Sequence, residues 1–511
     1  MRIRREFNSL PKEILPLILS HIRPSIGDLA RCCRVCRSWS EAATPVLYER
    51  IVLRNAVFSS LAASPELCQH LSVLELRAWP FSWPRERQLS LEERVRWCLS
   101  HASRLTRLIW TRRDSLSTDS LLTICGLKSL NELEINGTTN SLISSYKPER
   151  LLELPPLKSF TIHSPDINVI KYLLELCQNN WAFGFAEPFR GCSLQKLSLV
   201  GNHSNSFRDL DLQLLQSCLA PHLISLSLIG FSKITVEGLR SLFKEFSNLQ
   251  HLTLESLVLP PTFFRLLDYQ SSGVDSLLKK GSLTRLISFT ITYTNHEQID
   301  ATETFFDGLA NFVNHCPSLR ALTVYPSRSV KLAQIRTHES PRLPSAFLDQ
   351  ILADPYSTSG SLLGERLTKL AVHAIDLTLN LLCQLCSSAS RLEDLAVHLC
   401  EDDLPRTGSY LALLPELRTL HIGSRFISYD ADNALFLATR CRGHLNQIGL
   451  QHSAWSIIRT PLFPVNQLAW KLPSTQFTYL KQSLDRISSI YISLIPYDGT
   501  IWPEFALVVY E

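Results

Sequence analysis

"LQKLSL" (Leu194–Leu199) and "LISLSL" (Leu223–Leu228) each set apolar residues at the first, fourth and sixth positions of a six-residue phrase. Alternation at positions four to six is the period of a strand with one buried side. Upstream the phrase recurs as "LSVLEL" from Leu71, "LTRLIW" from Leu105, "LNELEI" from Leu130 and "LKSFTI" from Leu157. Downstream it recurs as "LQHLTL" from Leu249, "LISFTI" from Leu286, "LRALTV" from Leu319 and "LTKLAV" from Leu367. "LEDLAV" from Leu392, "LRTLHI" from Leu417 and "LNQIGL" from Leu445 follow, and "ISSIYI" from Ile487 is a degenerate last copy. Helical patterns lie between the phrases, such as "TVEGLRSLFKEF" (235–246) and "ETFFDGLANFVNH" (303–315). A unit of one strand and one helix cannot bury its apolar side alone, so neighbouring units must stack. The expected class is α/β.

A strand and a helix in about 25–29 residues resemble the leucine-rich repeat of the ribonuclease-inhibitor type. The resemblance implies a curved solenoid over residues 67–495, with a parallel sheet on its concave face. The stretch 325–366 is longer than a repeat needs and is expected to loop out at the rim; 496–511 is expected to form a C-terminal cap.

The N-terminus is different. "LPKEILPLILSHIRPSIGDLARCCRVCRSWS" (Leu10–Ser40) is crowded with apolar residues. A helix over Leu10–Ile22 carries Leu10, Ile14, Ile18 and Ile22 on one face, while Leu15, Leu17 and Leu19 lie on the others. Ser25 is placed to cap a second helix from Ile26 to about Arg34, with Asp28 near its positive end. A third, bearing Val35, Cys36 and Trp39, is expected to stop before Pro45. So small a segment exposes apolar surface that needs a partner.

Leu10-Pro11, Glu13-Ile14, Ile18-Leu19, Asp28-Leu29, Val35-Cys36, Trp39 and Leu47-Tyr48 follow the pattern of the F-box family, which this segment resembles. The resemblance implies a three-helix F-box over residues 8–50 that docks on the Skp-family adaptor of cullin–RING ubiquitin ligases. It assigns Leu10, Pro11, Ile14, Ile18, Leu29, Val35 and Trp39 to building or contacting the adaptor surface. Residues 51–66 are then a linker. The implied function is that of a substrate receptor: the F-box binds adaptor and, through it, cullin, while the repeats bind a protein target. A scaffold that uses the same adaptor pair without ubiquitination is the alternative.

In the repeat phrase, the fifth and seventh positions face the concave side. There only Glu75, Arg77, Glu134 and Glu255 are charged, and hydroxyl residues recur. A phosphate-binding face needs several Lys or Arg, so no nucleic-acid partner is expected. Larger groups gather toward the C-terminus: Tyr325, His373, His398, His421 and Tyr491 are the candidate target-binding residues. Clustered histidines also suggest a response to pH near neutrality. In the 325–366 stretch, Arg328, Lys331, Arg336 and Arg342 either meet an acidic or phosphorylated segment or are simply solvated. "AWPFSWPRERQ" (78–88), with Trp79 and Trp83, is expected to shield the first repeat.

Of the 511 residues, 51 are basic and 47 acidic, a net charge of +4 that gives no global field for nucleic acid or an anionic membrane. No apolar run reaches the ~18 residues of a membrane span, so no membrane partner is expected. The basic start "MRIRREFNSLPKEILPLIL" mimics a signal peptide but is broken by Pro11, Lys12 and Glu13. A cytoplasmic or nuclear location is therefore expected. Many of the 14 cysteines, including Cys68, Cys98, Cys125, Cys192, Cys218, Cys316, Cys386 and Cys441, fall just before a repeat phrase, where a free thiol acts as a small core residue. Cys33/Cys36 and Cys383/Cys386 are too far apart in sequence to read as one zinc site, so no metal or cofactor is expected. No nucleophile elbow, P-loop, zinc-protease or dinucleotide motif is present, so no enzymatic activity is expected.

Overall fold

The computed structural model describes residues 14–22, 26–52, 60–77, 82–139, 146–178, 194–264, 283–293, 299–326, 342–352, 363–401, 403–424, 430–441, 445–451, 453–461 and 490–496. It divides into two compact units, Met1–Val258 and Leu259–Glu511.

In the N-terminal unit, three helices, Ile14–Ile22, Ile26–Cys32 and Arg37–Tyr48, precede the repeats. Then come strands β1 (Arg50–Val52), β2 (Val73–Glu75), β3 (Arg107–Trp110), β4 (Glu132–Asn136) and β5 (Ser159–His163). β6 (Lys196–Arg208), β7 (Ser225–Lys233) and β8 (His251–Glu255) complete this unit. Each strand pairs in parallel with the next in sequence order.

Each of β2–β8 begins at the third position of its repeat phrase. Positions one, four and six are inside: Leu194, Leu197 and Leu199 are 0%, 1% and 0% exposed. Full burial of such a side chain stabilises by about 1.5–3 kcal/mol. The carbonyl at position two joins adjacent strands by accepting two N–H groups of the next. Ser72 O accepts from Thr106 N and Arg107 N at 2.9 and 3.1 Å, and Thr106 O from Asn131 N and Glu132 N at 2.8 and 3.0 Å. Helices return between strands and begin at side-chain caps. Ser117 accepts from Ser120 N, and Asp166 from Asn168 N and Val169 N.

The C-terminal unit repeats this plan with β9 (Ser288–Tyr293), β10 (Ala321–Pro326), β11 (Lys369–Leu377), β12 (Asp394–Leu399), β13 (Thr419–Ser424) and β14 (Gln447–Leu450), paired in parallel. The expected helical patterns become Val236–Glu245 in the first unit and Ile299–Asn314 in the second. The architecture is therefore mixed α/β with mainly parallel strand pairing.

Several local expectations change. Pro45 lies inside the third helix rather than beyond its end, and Val35 and Cys36 precede that helix. Proline removes one backbone donor, but Ala42, Val46 and Leu47 on either side pack against Leu19, Leu29 and Ala43, and that packing carries the helix through. The stretch expected as linker, 51–66, holds the last two residues of β1 and the first two of a short helix, Pro65–Cys68. The long stretch after β10 is more than a loop. Helix Ser345–Leu352 buries Phe347, Leu348, Ile351 and Leu352, and just before it the backbone at Arg342 pairs in parallel with that at Asp376, Leu343 N donating to Asp376 O at 3.0 Å. After β14 the chain turns back. β15 (Ser453–Pro461) runs antiparallel to β14, and β16 (Ile490–Pro496) antiparallel to β15, so the "ISSIYI" region is not another parallel repeat. Trp79 and the expected cap at 496–511, apart from Pro496 itself, lie outside the described residues; Trp83 is half-buried, its carbonyl accepting from Gln88 Nε2 at 2.8 Å.

Cys68, Cys98, Cys316, Cys386 and Cys441 are buried free thiols, Cys125 and Cys218 are half-buried, and Cys192 lies outside the described residues. Burial pushes the Cys316 thiol up to about 12.

Candidate interaction surfaces

The first surface is built by the three N-terminal helices. Their core is Leu19, Leu29 and Ala43, with Cys32, Cys33, Trp39, Ala42, Val46 and Leu47 packed against it. The first helix turns Leu15 and Leu19 inward, not the Ile14–Ile18 stripe. Four large apolar side chains are left in solvent: Ile14 (40% exposed), Leu17 (65%), Ile26 (70%) and Val35 (63%). Isolated exposed leucines are ordinary, but four on so small a module leave an uncovered apolar surface.

The expected adaptor residues therefore divide. Ile14 and Val35 are at the surface, Ile18 and Trp39 are half-buried, and Leu29 is in the core. Leu10 and Pro11 lie outside the described residues. Leu17 and Ile26, also exposed, are off the four-residue stripe and outside the quoted motif.

The second surface is the strand face that carries positions five and seven. In the N-terminal unit it holds a charge ladder. Arg50 Nε and Arg77 Nε donate to the two oxygens of Glu75, each at 2.9 Å. Arg77 approaches Glu134 at 3.7 Å, and Glu134 meets His163 Nε2 at 2.9 Å. Burial works to raise the Glu75 and Glu134 carboxyls, but their Arg and His partners outweigh it and hold both below the ordinary value.

In the C-terminal unit the same face carries the histidines. His398 Nδ1 contacts Asp376 Oδ1 at 2.8 Å, and Asp376 is only 7% exposed. His398 stands opposite Gly423, where a Cβ would lie 2.7 Å from its Cδ2. His421 stands opposite Gly449 in the same way. Tyr325 and His373 meet nearly edge-on, at 71° with ring centroids 6.4 Å apart. Ala371 and Ala396, both fully buried, form the floor between these side chains. Burial, with the Asp376 charge, pushes the Tyr293 hydroxyl up.

His421 is buried (7% exposed), because glycine on the next strand lets its ring lie down across the sheet. His373 does not titrate near neutrality: burial, and then the neighbouring His421, Lys369 and His398, push it down to about 3. It offers a neutral hydrogen-bonding ring, not a charge.

Tyr325 and His398 are half-buried. Tyr491 lies in β16 opposite Thr460, away from the position expected for a repeat residue; its side chain is outside the described residues. Arg342 is exposed, whereas Arg328, Lys331 and Arg336 are also outside. Asp376, Gly423 and Gly449 were missed. Asp376 follows its repeat phrase, where the pairing register of β11 shifts, and the glycines signal only through their place opposite a histidine. Among the described residues no group of three His, Cys, Asp or Glu could hold a metal ion. No described helix is long and apolar enough to cross a membrane.

Residues 7–54 match the family model of the F-box-like domain. No curated protein matches the chain. Among solved structures, the chain is similar to one described as the Rad7 and Elc1 complex in yeast. The identity is 14% over 87% of this chain and 89% of that one, with a TM-score of 0.39. It is also similar to a TLR13–ssRNA13 complex, at 16% identity over 74% of this chain and 51% of that one, with a TM-score of 0.34. These two likenesses are too loose to add to the geometry. The N-terminal helices, with their small core and uncovered apolar residues, are an F-box-like domain.

Proposed function

We propose that the chain is a substrate receptor of a Skp–cullin–F-box ubiquitin ligase, with its strand–helix units forming a leucine-rich-repeat solenoid. The reading rests on one observation: Ile14, Leu17, Ile26 and Val35 stand exposed on the segment that matches the F-box-like family. These residues dock on a Skp-family adaptor and, through it, on a cullin. The strand face with Tyr325, His373, His398 and His421 takes part in holding a protein target. The work is done by proximity: tethering raises the effective concentration of target lysines near a charged conjugating enzyme. No residue of this chain takes part in bond chemistry, and the complex acts in the cytoplasm or nucleus.

The test is co-purification of adaptor and cullin with the full chain and with a Leu17→Asp, Val35→Asp double variant. The parent recovers both partners and the variant loses both while keeping its far-UV dichroism. Equal recovery by both proteins overturns the reading; recovery of adaptor without cullin replaces it with a scaffold that does not ubiquitinate.

A further inference from the structure

We propose that Arg37–Val52 is also the terminal unit of the repeat array, so that the F-box-like domain caps the sheet of the N-terminal unit. Three independent observations carry this. First, Glu49 O accepts from Ser72 N and Val73 N, both at 2.9 Å. That is the double acceptance by which Ser72 O joins Thr106 and Arg107, and Thr106 O joins Asn131 and Glu132. Glu49 thus occupies position two of a repeat that precedes the first leucine phrase.

Second, the strand that follows keeps the repeat register. Arg50, Ile51 and Val52 pair in parallel with Val73, Leu74 and Glu75. Ile51, opposite the position-four residue Leu74, is 5% exposed, while Val52, opposite Glu75 at position five, is 50% exposed. The sequence "YERIVL" (48–53) fits the repeat phrase with Tyr48 and Ile51 in place of the first two leucines. The helix that leads into it, Arg37–Tyr48, is the last helix of the F-box-like domain.

Third, side chains pin the joint. Arg50 holds Glu75 by two contacts of 2.9 and 2.5 Å, and Glu75 is the most buried carboxylate of the ladder that runs on through Arg77.

The physical need is plain. The first strand of an array presents open backbone groups and an apolar edge, and such ends must be covered. Here the cover is a domain with a second use, not a dedicated capping repeat. Removing residues 1–52 would leave the β2 edge unpaired and open the layer that holds the fully buried Leu74, Cys68 and Cys98. Within the N-terminal unit the F-box-like helices and the first repeats then move as one body. The capping role does not depend on adaptor binding.

The experiment uses the full-length chain and two readouts: hydrogen exchange of the peptides spanning 70–76 and 104–110, with 130–136 as the reference, and alkylation of Cys68 and Cys98. In the parent, both peptides exchange at similar slow rates. Ile51→Asn speeds exchange at 70–76 and alkylation of both thiols by about tenfold or more, as local opening does. The milder Glu75→Gln, which keeps Ile51, speeds exchange at 70–76 but not at 130–136. Leu17→Asp, on the exposed surface, changes neither readout. Fast exchange at 70–76 in the parent overturns the proposal. So does an Ile51→Asn protein with parental rates, or a Glu75→Gln protein that loosens 130–136 as much as 70–76. Loss of adaptor binding without these changes counts for the docking surface and not for the cap.

Discussion

The imidazole of His421 occupies the space that a side chain on Gly449 would need: a Cβ there would lie 2.6 Å from Nε2. The two residues are directly opposite on β13 and β14. One and two strands further back, Ala396 and Ala371 keep the same row low. The row is therefore shaped by what is absent from the side chains as much as by the histidine.

Gly449→Ala is expected to destabilise the C-terminal unit. Replacing glycine in a strand ordinarily gains about 0.5–1 kcal/mol, but forcing His421 from its site costs about 1–3 kcal/mol. The clash outweighs the gain, and urea denaturation should show a lower midpoint.

Leu17→Asp and Val35→Asp touch exposed side chains, so each should change stability by less than about 0.5 kcal/mol. Leu19→Ala removes a fully buried side chain of a small core and should cost about 2–5 kcal/mol. Thermal melts of the three proteins separate docking residues from core residues.

His373 remains neutral in the fold down to a pH of about 3. In the unfolded chain it takes up a proton below its ordinary value of 6.5. The unfolded state then binds more protons, so the contribution of His373 to stability is full above 6.5 and is lost as the pH falls toward 3. Nitrogen chemical shifts of its ring should show no titration between pH 5 and 8. A midpoint near neutrality would overturn this reading.

Glu75 and Glu134 lie on the acid side of their ordinary value of 4.5. Their partners stabilise the fold above that pH, and this contribution disappears as the pH drops through the folded values. The unfolding midpoint of the N-terminal half should decline below pH 4.5 in the parent, and Glu75→Gln should flatten part of that decline.

The leucine phrase alone dictates the repeat: strands β2–β14 begin where it says, because alternation at positions four and six admits one inward side. The N-terminal domain is equally legible, since its motif residues mark three short helices. Which side of the first helix is inside does not follow from the residues. Leu15 and Leu19 compete with Ile14 and Ile18 as apolar candidates, and only the packing of Trp39, Ala43 and Leu29 chooses between them. Nor could local chemistry carry a helix through Pro45, pair Asp376 with His398, or turn β15 back along β14. Those outcomes depend on groups brought together from distant parts of the chain, where burial and register, not spacing, decide the contact.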